Sequence, residues 1–194
     1  LVEYIASFGK PMIVSTGMNT IDSIKVTESI LKKAGVEYAF LHTTNLYPTP
    51  PELVRLGAME DMMKEFPGVE IGLSDHTTSN HACFAAVAMG ANILERHFTD
   101  CMTRPGPDII NSMDPTALTE LNAGIRLIAK MRGGSKEPAE EEKPTIDFAF
   151  ASVVSIADIS KGDLLTKDNI WLKRPNGGDF GPSDFESLIG CKAA

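Results

Sequence analysis

Four stretches of this 194-residue sequence end in side chains able to hydrogen-bond, hold a metal or move a proton. The first ends in Ser15-Thr16. The second runs into His42, Thr43, Thr44, Asn45 and then Tyr47. The third ends in Ser74, Asp75, His76 and Thr77, and the fourth carries Glu95, Arg96 and His97. Each stretch is suited to a β-strand, and strand side chains alternate in direction. Ser74 and His76 therefore share one face, and so do Glu95 and His97. If that face points into a barrel, His76 and His97 converge from adjacent strands. Two neutral imidazoles at one mouth suit a divalent transition metal. Two protein ligands leave positions open for substrate oxygens and water. That favours a six-coordinate ion such as Mn²⁺ over a closed structural zinc site, which wants four protein ligands. The competing reading makes each histidine a hydrogen-bonded core residue.

Ser15, Asn45 and Ser74 can donate hydrogen bonds to an anionic group such as phosphate, or else satisfy backbone at strand ends. Asp108 lies in a Pro-Gly-Pro-Asp turn (105–108) that would hold a carboxylate over the same mouth, within reach of sugar hydroxyls. Its alternative is an ordinary turn aspartate. His42, inside a strand, and His81, on a helix, are assigned to structure. Lys10 precedes the first strand and belongs to the opposite, stabilising face. The run EPAEEEK (137–143) reads as a solvated linker.

The elements that must position these groups alternate. Strands are expected at 12–16, 38–43, 69–74 and 92–98. Helices are expected at 20–34, from about 52 to 66, around 80–89, and from Asp114-Pro115 to Gly133-Gly134. Strand–helix units repeating at roughly 20–30 residues mean a parallel sheet covered by helices. In such proteins ligands meet the carboxyl ends of the strands. Two architectures compete, an open doubly wound sheet and a (β/α)₈ barrel. No GxGxxG or P-loop follows any strand, which counts against a nucleotide-binding open sheet. A whole barrel needs about 250 residues, so four units in about 135 amount to half of one. Residues 133–146 (GGSKEPAEEEKPTI) are a linker by composition. A small second module follows: FAFASVVSIADI (148–159) and WLKRP (171–175) are strand-like, and KGDLLTKDNI (161–170) is a turn with a short helical segment.

Composition bounds the function. The net charge of −8 makes the chain a poor general binder of nucleic acid or anionic membranes. No apolar run approaches the roughly 20 residues that span a bilayer. Three cysteines (Cys83, Cys101, Cys191) form no CxxC pair, which excludes a disulfide scaffold and makes a reducing cytoplasm the default.

The segments STG (15–17), HTTNLYPTP (42–50), GLSDHT (72–77), ERHFTD (95–100) and RPGPD (104–108) resemble the bacterial sialic acid synthase family. Those enzymes are phosphoenolpyruvate-dependent N-acetylneuraminate synthases. FAFASVV (148–154) and WLKRP resemble the start of that family's antifreeze-like (SAF) domain. The resemblance covers essentially the whole chain. It implies an α/β fold: the C-terminal half of a (β/α)₈ TIM barrel over 1–132, a linker over 133–146, and a truncated antifreeze-like domain over 147–194. It implies condensation of phosphoenolpyruvate with N-acetylmannosamine in a domain-swapped homodimer, to which the composition adds a cytoplasmic setting with no nucleic-acid or membrane partner.

By position, His76 and His97 match the metal-binding histidines, for Mn²⁺ or another divalent ion such as Mg²⁺ or Co²⁺. Ser15, Asn45 and Ser74 match phosphate-binding positions, and Tyr47 matches a residue lining the pocket for both substrates. Asp108 matches the carboxylate on the sugar hydroxyls. Arg174 matches the arginine inserted into the partner subunit's site. The resemblance also places four strands before Leu1, carrying an acidic residue and lysines that hold phosphoenolpyruvate, and more of the antifreeze-like domain after Ala194. Other readings stay open: the same chemistry on legionaminic or pseudaminic acid precursors, another metal-dependent barrel enzyme such as a hydrolase, or a non-catalytic sugar-binding or dimerisation module.

Overall fold

The structure, a computed structural model, describes residues 1–194 and resolves them into two compact units, Leu1–Gly133 and Gly134–Ala194. The first unit contains α1 (Val2–Ala6), β1 (Met12–Ser15), α2 (Ile21–Ala34), β2 (Tyr38–Thr43), α3 (Leu56–Glu65), β3 (Glu70–Asp75), α4 (His81–Met89), β4 (Leu94–Arg96) and α5 (Pro115–Met131). The four strands are all parallel and lie in sequence order. This curled sheet with helices between its strands is the half-barrel expected above.

Register decides which side chains meet. Ser15 pairs with Leu41, Thr43 with Ser74, and Ser74 with Glu95, so these residues line one face of the sheet. The other face carries Val14, Phe40, Ile71, Leu73 and Leu94 and packs on the helices. Leu31 of α2, Met59 and Met62 of α3, Phe66 at the end of α3, and Cys83 of α4 close this core, with Phe40 and Phe66 in edge-to-face contact at 5.3 Å. Thr20 caps α2 and Asp114 caps α5, each accepting the backbone N–H three residues on. Gly35 ends α2 in the left-handed region (φ 68°), the conformation a side chain resists.

The elements depart from expectation at three points. The helix expected from about 52 is broken: residues 51–53 form a 3₁₀ turn, Arg55 is left-handed (φ 53°), and α3 starts at Leu56. The cause is competition for carbonyls, since Thr44 Oγ1 donates to Leu53 O at 2.7 Å and His42 Nε2 to Val54 O at 2.8 Å. β4 is shorter than 92–98, because the backbone after Arg96 changes partner. Met113 N donates to His97 O and Thr99 N donates to Met113 O, each at 2.9 Å. In the second unit, the expected linker and the FAF segment hold a 3₁₀ turn (Glu140–Glu142) and α6 (Lys143–Ala149). Pro144 in the first turn and a Lys143–Asp147 pair at 3.3 Å favour that helix over a strand.

Beyond α6, β5 (Ser152–Ser155) pairs antiparallel with β6 (Ile170–Lys173), and α7 (Phe185–Leu188) sets Phe185 edge-on against Trp171 at 5.4 Å. Residues 161–169 form turns rather than a helix, closed by Asp163 on Ser160 N and by Asn169 on Thr166 N. No helix of the chain is long and apolar enough to cross a membrane.

Candidate active site

The strand register brings His76 and His97 together one residue beyond the ends of β3 and β4. Their ring centroids are 5.2 Å apart and their planes nearly perpendicular, at 86°. Tyr47 completes the cluster, stacked on His76 at 4.2 Å and edge-on to His97 at 5.7 Å. The loop after β2 is bent back to deliver Tyr47. Thr49 N donates to His76 O at 2.9 Å, and Thr49 Oγ1 donates to Leu46 O at 2.8 Å.

The His76 tautomer is set by its neighbour. Nδ1 lies 2.9 Å from Thr44 O, and a carbonyl only accepts, so Nδ1 carries the proton. The lone pair is then on Nε2, the arrangement of a metal-ligating histidine held by a backbone carbonyl. Asp108 Oδ2 lies 3.8 Å from His97 Nδ1, beyond hydrogen-bond reach but close enough to add negative potential beside the ring. The donor set thus fits one divalent ion with most of its shell left open. No three His, Cys, Asp or Glu side chains gather as a metal site anywhere in the chain, so at this mouth the chain offers the two imidazoles alone.

Ser15, Asn45 and Ser74 sit at neighbouring strand ends: Ser15 exposed, Ser74 buried, Asn45 in the loop beyond Thr43. Asn45 packs across Gly17, where a Cβ would lie 1.7 Å from Asn45 Oδ1. Asn45 Oδ1 and Thr43 Oγ1 are both buried without a hydrogen-bond partner. Unpaired polar atoms at strand carboxyl ends are what a site awaiting a polar ligand leaves behind. A cavity of ≈ 630 Å³ opens beside them between the ends of β1 and β2 and the helices α2 and α3, and includes Asn45 and Arg55. Neither His76 nor His97 lines it, because it opens toward α2 and α3, on the side where His42 lies. Arg174 belongs to the second unit, directly after β6, and is exposed there.

The other two histidines bond locally. His42 faces the helices and donates to Val54 O; burial foremost, aided by the nearby Arg55 charge, pushes its pKa below the ordinary value against that hydrogen bond. His81 Nδ1 contacts Ser79 Oγ at 2.9 Å.

Two further features bear on the charge around the site. Glu95 joins the inner face beside Ser74, and alternation from His97 points to it. Its carboxylate forms no ion pair in this chain, and no Lys or Arg stands on the inner face of the four strands. The second is a buried ion pair, Asp75 with Arg96, on the helix side immediately before the two histidines. Its sequence signal is two opposite charges at equivalent places on adjacent parallel strands.

Comparison with known proteins places this arrangement. The chain is 35% identical to human N-acetylneuraminate-9-phosphate synthase, over 98% of this chain and 54% of that protein. It is 37% identical to the N,N'-diacetyllegionaminic acid synthase of Campylobacter jejuni, over 97% of this chain and 57% of that protein. The crystal structure of N-acetylneuraminic acid synthetase from Leptospira borgpetersenii, in complex with citrate, superposes with a TM-score of 0.70 at 32% identity, covering 75% of this chain and 51% of that one. The chain spans about half the length of the relatives it matches. Residues 1–137 match the NeuB family and residues 150–194 the SAF domain, and the chain belongs to the NeuB family.

Proposed function

We propose that this chain takes part in condensing phosphoenolpyruvate with an N-acetylated amino sugar, N-acetylmannosamine in the first instance, to a nine-carbon 2-keto acid and phosphate. The observation that carries the reading is the His76–His97–Tyr47 cluster at the strand ends, in a family whose members include sialic and legionaminic acid synthases.

In the reaction, C3 of phosphoenolpyruvate attacks the aldehyde carbon of the open-chain sugar and forms the C–C bond. Water adds at C2, and phosphate leaves by C–O cleavage as the keto acid forms. Ser15, Asn45 and Ser74 donate hydrogen bonds to the phosphate and fix its position. Asp108 accepts from sugar hydroxyls, and Tyr47 walls the pocket against His76. A divalent ion such as Mn²⁺ on His76 and His97 would supply Lewis acidity toward the aldehyde oxygen. Glu95 and Asp108 add negative charge where an anion must bind, so cations from outside this chain's inner face are part of the reading. The reading extends to a homodimer in which Arg174 of one subunit reaches the sugar in the other, and to a reducing, cytoplasmic setting in which all three thiols stay free.

The test is phosphate and keto-acid release by the full-length protein with Mn²⁺, phosphoenolpyruvate and N-acetylmannosamine. His76→Ala with His97→Ala should abolish both products, and full activity in chelator would overturn the metal role. The legionaminic relative is as similar as the neuraminate one, so its diacetamido sugar precursor is the second substrate to assay. Faster turnover of that sugar would move the substrate and leave the chemistry.

A further inference from the structure

We propose that Asp75 and Arg96 are a positioning pair that sets the separation of His76 and His97, an inference that rests on the metal reading above. The backbone ladder between β3 and β4 has three registered pairs and ends at Asp75–Arg96. Both histidines lie one residue past that last registered pair. The side chains of the last pair add a second clamp to the backbone ladder. Arg96 Nε contacts Asp75 Oδ2 at 3.0 Å, too bent for a linear hydrogen bond, with both side chains almost fully buried. Arg96 Nη1 donates to Asn80 Oδ1 at 2.6 Å and Nη2 to Thr77 O at 2.8 Å. Asp75 accepts from Thr77 N at 3.0 Å and from the Cys83 thiol, and competes with Ser79 O, at 2.9 Å, for the single Thr77 hydroxyl proton, 3.0 Å from Asp75 Oδ2. Both neighbours of His76 are therefore held in one network with the residue preceding His97. Asn80 carries it to α5, donating to Ala117 O and Glu120.

A buried ion pair is weak as a source of stability, because desolvation offsets its attraction. Its worth here is geometric. Alternation sends Asp75 and Arg96 to the helix side and the histidines to the mouth. A small shift at the clamp would therefore be transmitted through one Cα to each imidazole.

The experiment measures Mn²⁺ affinity of the full-length protein by electron paramagnetic resonance, alongside melting temperature, for Arg96→Lys, Asp75→Asn and Thr77→Val. Leu31→Ala, in the core away from the site, is the control for general destabilisation. Arg96→Lys and Asp75→Asn should weaken Mn²⁺ binding about 10- to 100-fold, the range for partners behind metal ligands. Leu31→Ala should leave the affinity unchanged despite a lower melting temperature. Thr77→Val keeps both charges and serves where the others fail to fold; it should weaken binding by a smaller factor. Affinities equal to wild type in the folded variants would overturn the proposal while leaving the function intact. Wild-type protein that binds no Mn²⁺, or binds it equally well after His76→Ala, would overturn the metal reading and this inference with it.

Discussion

Gly17→Ala tests whether Asn45 holds phosphate. A Cβ at position 17 would lie 1.7 Å from Asn45 Oδ1 and 2.7 Å from both Asn45 Cγ and Thr43 Cγ2, against an ordinary contact of 3.4 Å or more. The carboxamide must retreat by about 1.5 Å or more for the methyl to fit. Only side-chain atoms are in the way, so the chain should still fold, at the lower end of the roughly 1–3 kcal/mol typical of overpacking. The functional loss should be larger than the structural one. A hydrogen bond to a charged group is worth about 1.5–3 kcal/mol. Losing the Asn45 donor should therefore raise KM for phosphoenolpyruvate about ten- to a hundredfold. Initial rates at saturating sugar, with phosphate as the readout, measure it. The double variant Gly17→Ala with Asn45→Ala separates the route: if Gly17 acts through Asn45, the pair should do no more than Asn45→Ala alone. A KM within twofold of wild type, or penalties that multiply in the double variant, would refute the reasoning.

Gly72→Ala should be far more damaging to the fold. Its Cβ would meet Ile93 O at 2.2 Å, a backbone atom that also accepts from Leu73 N. A loss of about 3 kcal/mol or more in urea unfolding is expected, and a loss under about 1 would contradict the geometry. His42 should make the protein acid-sensitive. Its folded pKa lies below its unfolded value, so the unfolded chain takes up the extra proton and stability falls as pH drops below about 6.5, by at most about 1.4 kcal/mol per pH unit. In His42→Gln that dependence should flatten, so the melting-temperature gap between the two proteins should narrow from pH 7 to pH 5. Alkylation followed by mass spectrometry should label Cys101 first, since it is exposed and its thiol is lowered by Thr103, and leave Cys83 intact. Burial and the adjacent Asp75 push the Cys83 thiol up to about 12.

The face that carries the chemistry was legible because period-2 alternation is rigid. Once β3 and β4 are parallel neighbours, Ser74, His76, Glu95 and His97 have nowhere else to point. Helix starts at Thr20 and Asp114 were legible because their caps are local. What escaped depends on partners distant in sequence. The break at Arg55 follows from Thr44 and His42 claiming two carbonyls, and the early end of β4 follows from Met113 taking over the backbone of 97–99. A single segment's propensities contain neither fact. The helix over Lys143–Ala149 escaped for a different reason: its composition is that of a linker, and a proline in the first turn is equally at home in either.

Charge ties the legible part to the chemistry. An acidic chain was a reason to exclude nucleic acid, yet the same chain is read as holding a phosphate. The inner face resolves this only in part, offering hydroxyls, an amide and two imidazoles but no Lys or Arg, with Glu95 and Asp108 alongside. Neutral donors can orient an anion, but they cannot offset two carboxylates in a half-open site. On the proposed reading, the positive charge comes from a bound divalent cation and from residues beyond these four strands. The buried Asp75–Arg96 pair does not supply it, since its guanidinium is already committed to Asp75, Asn80 and Thr77 on the other side of the sheet. The division of labour in that reading is physical: these strands fix where the reacting groups sit, and the charge that would make the site attractive to phosphoenolpyruvate is brought to it.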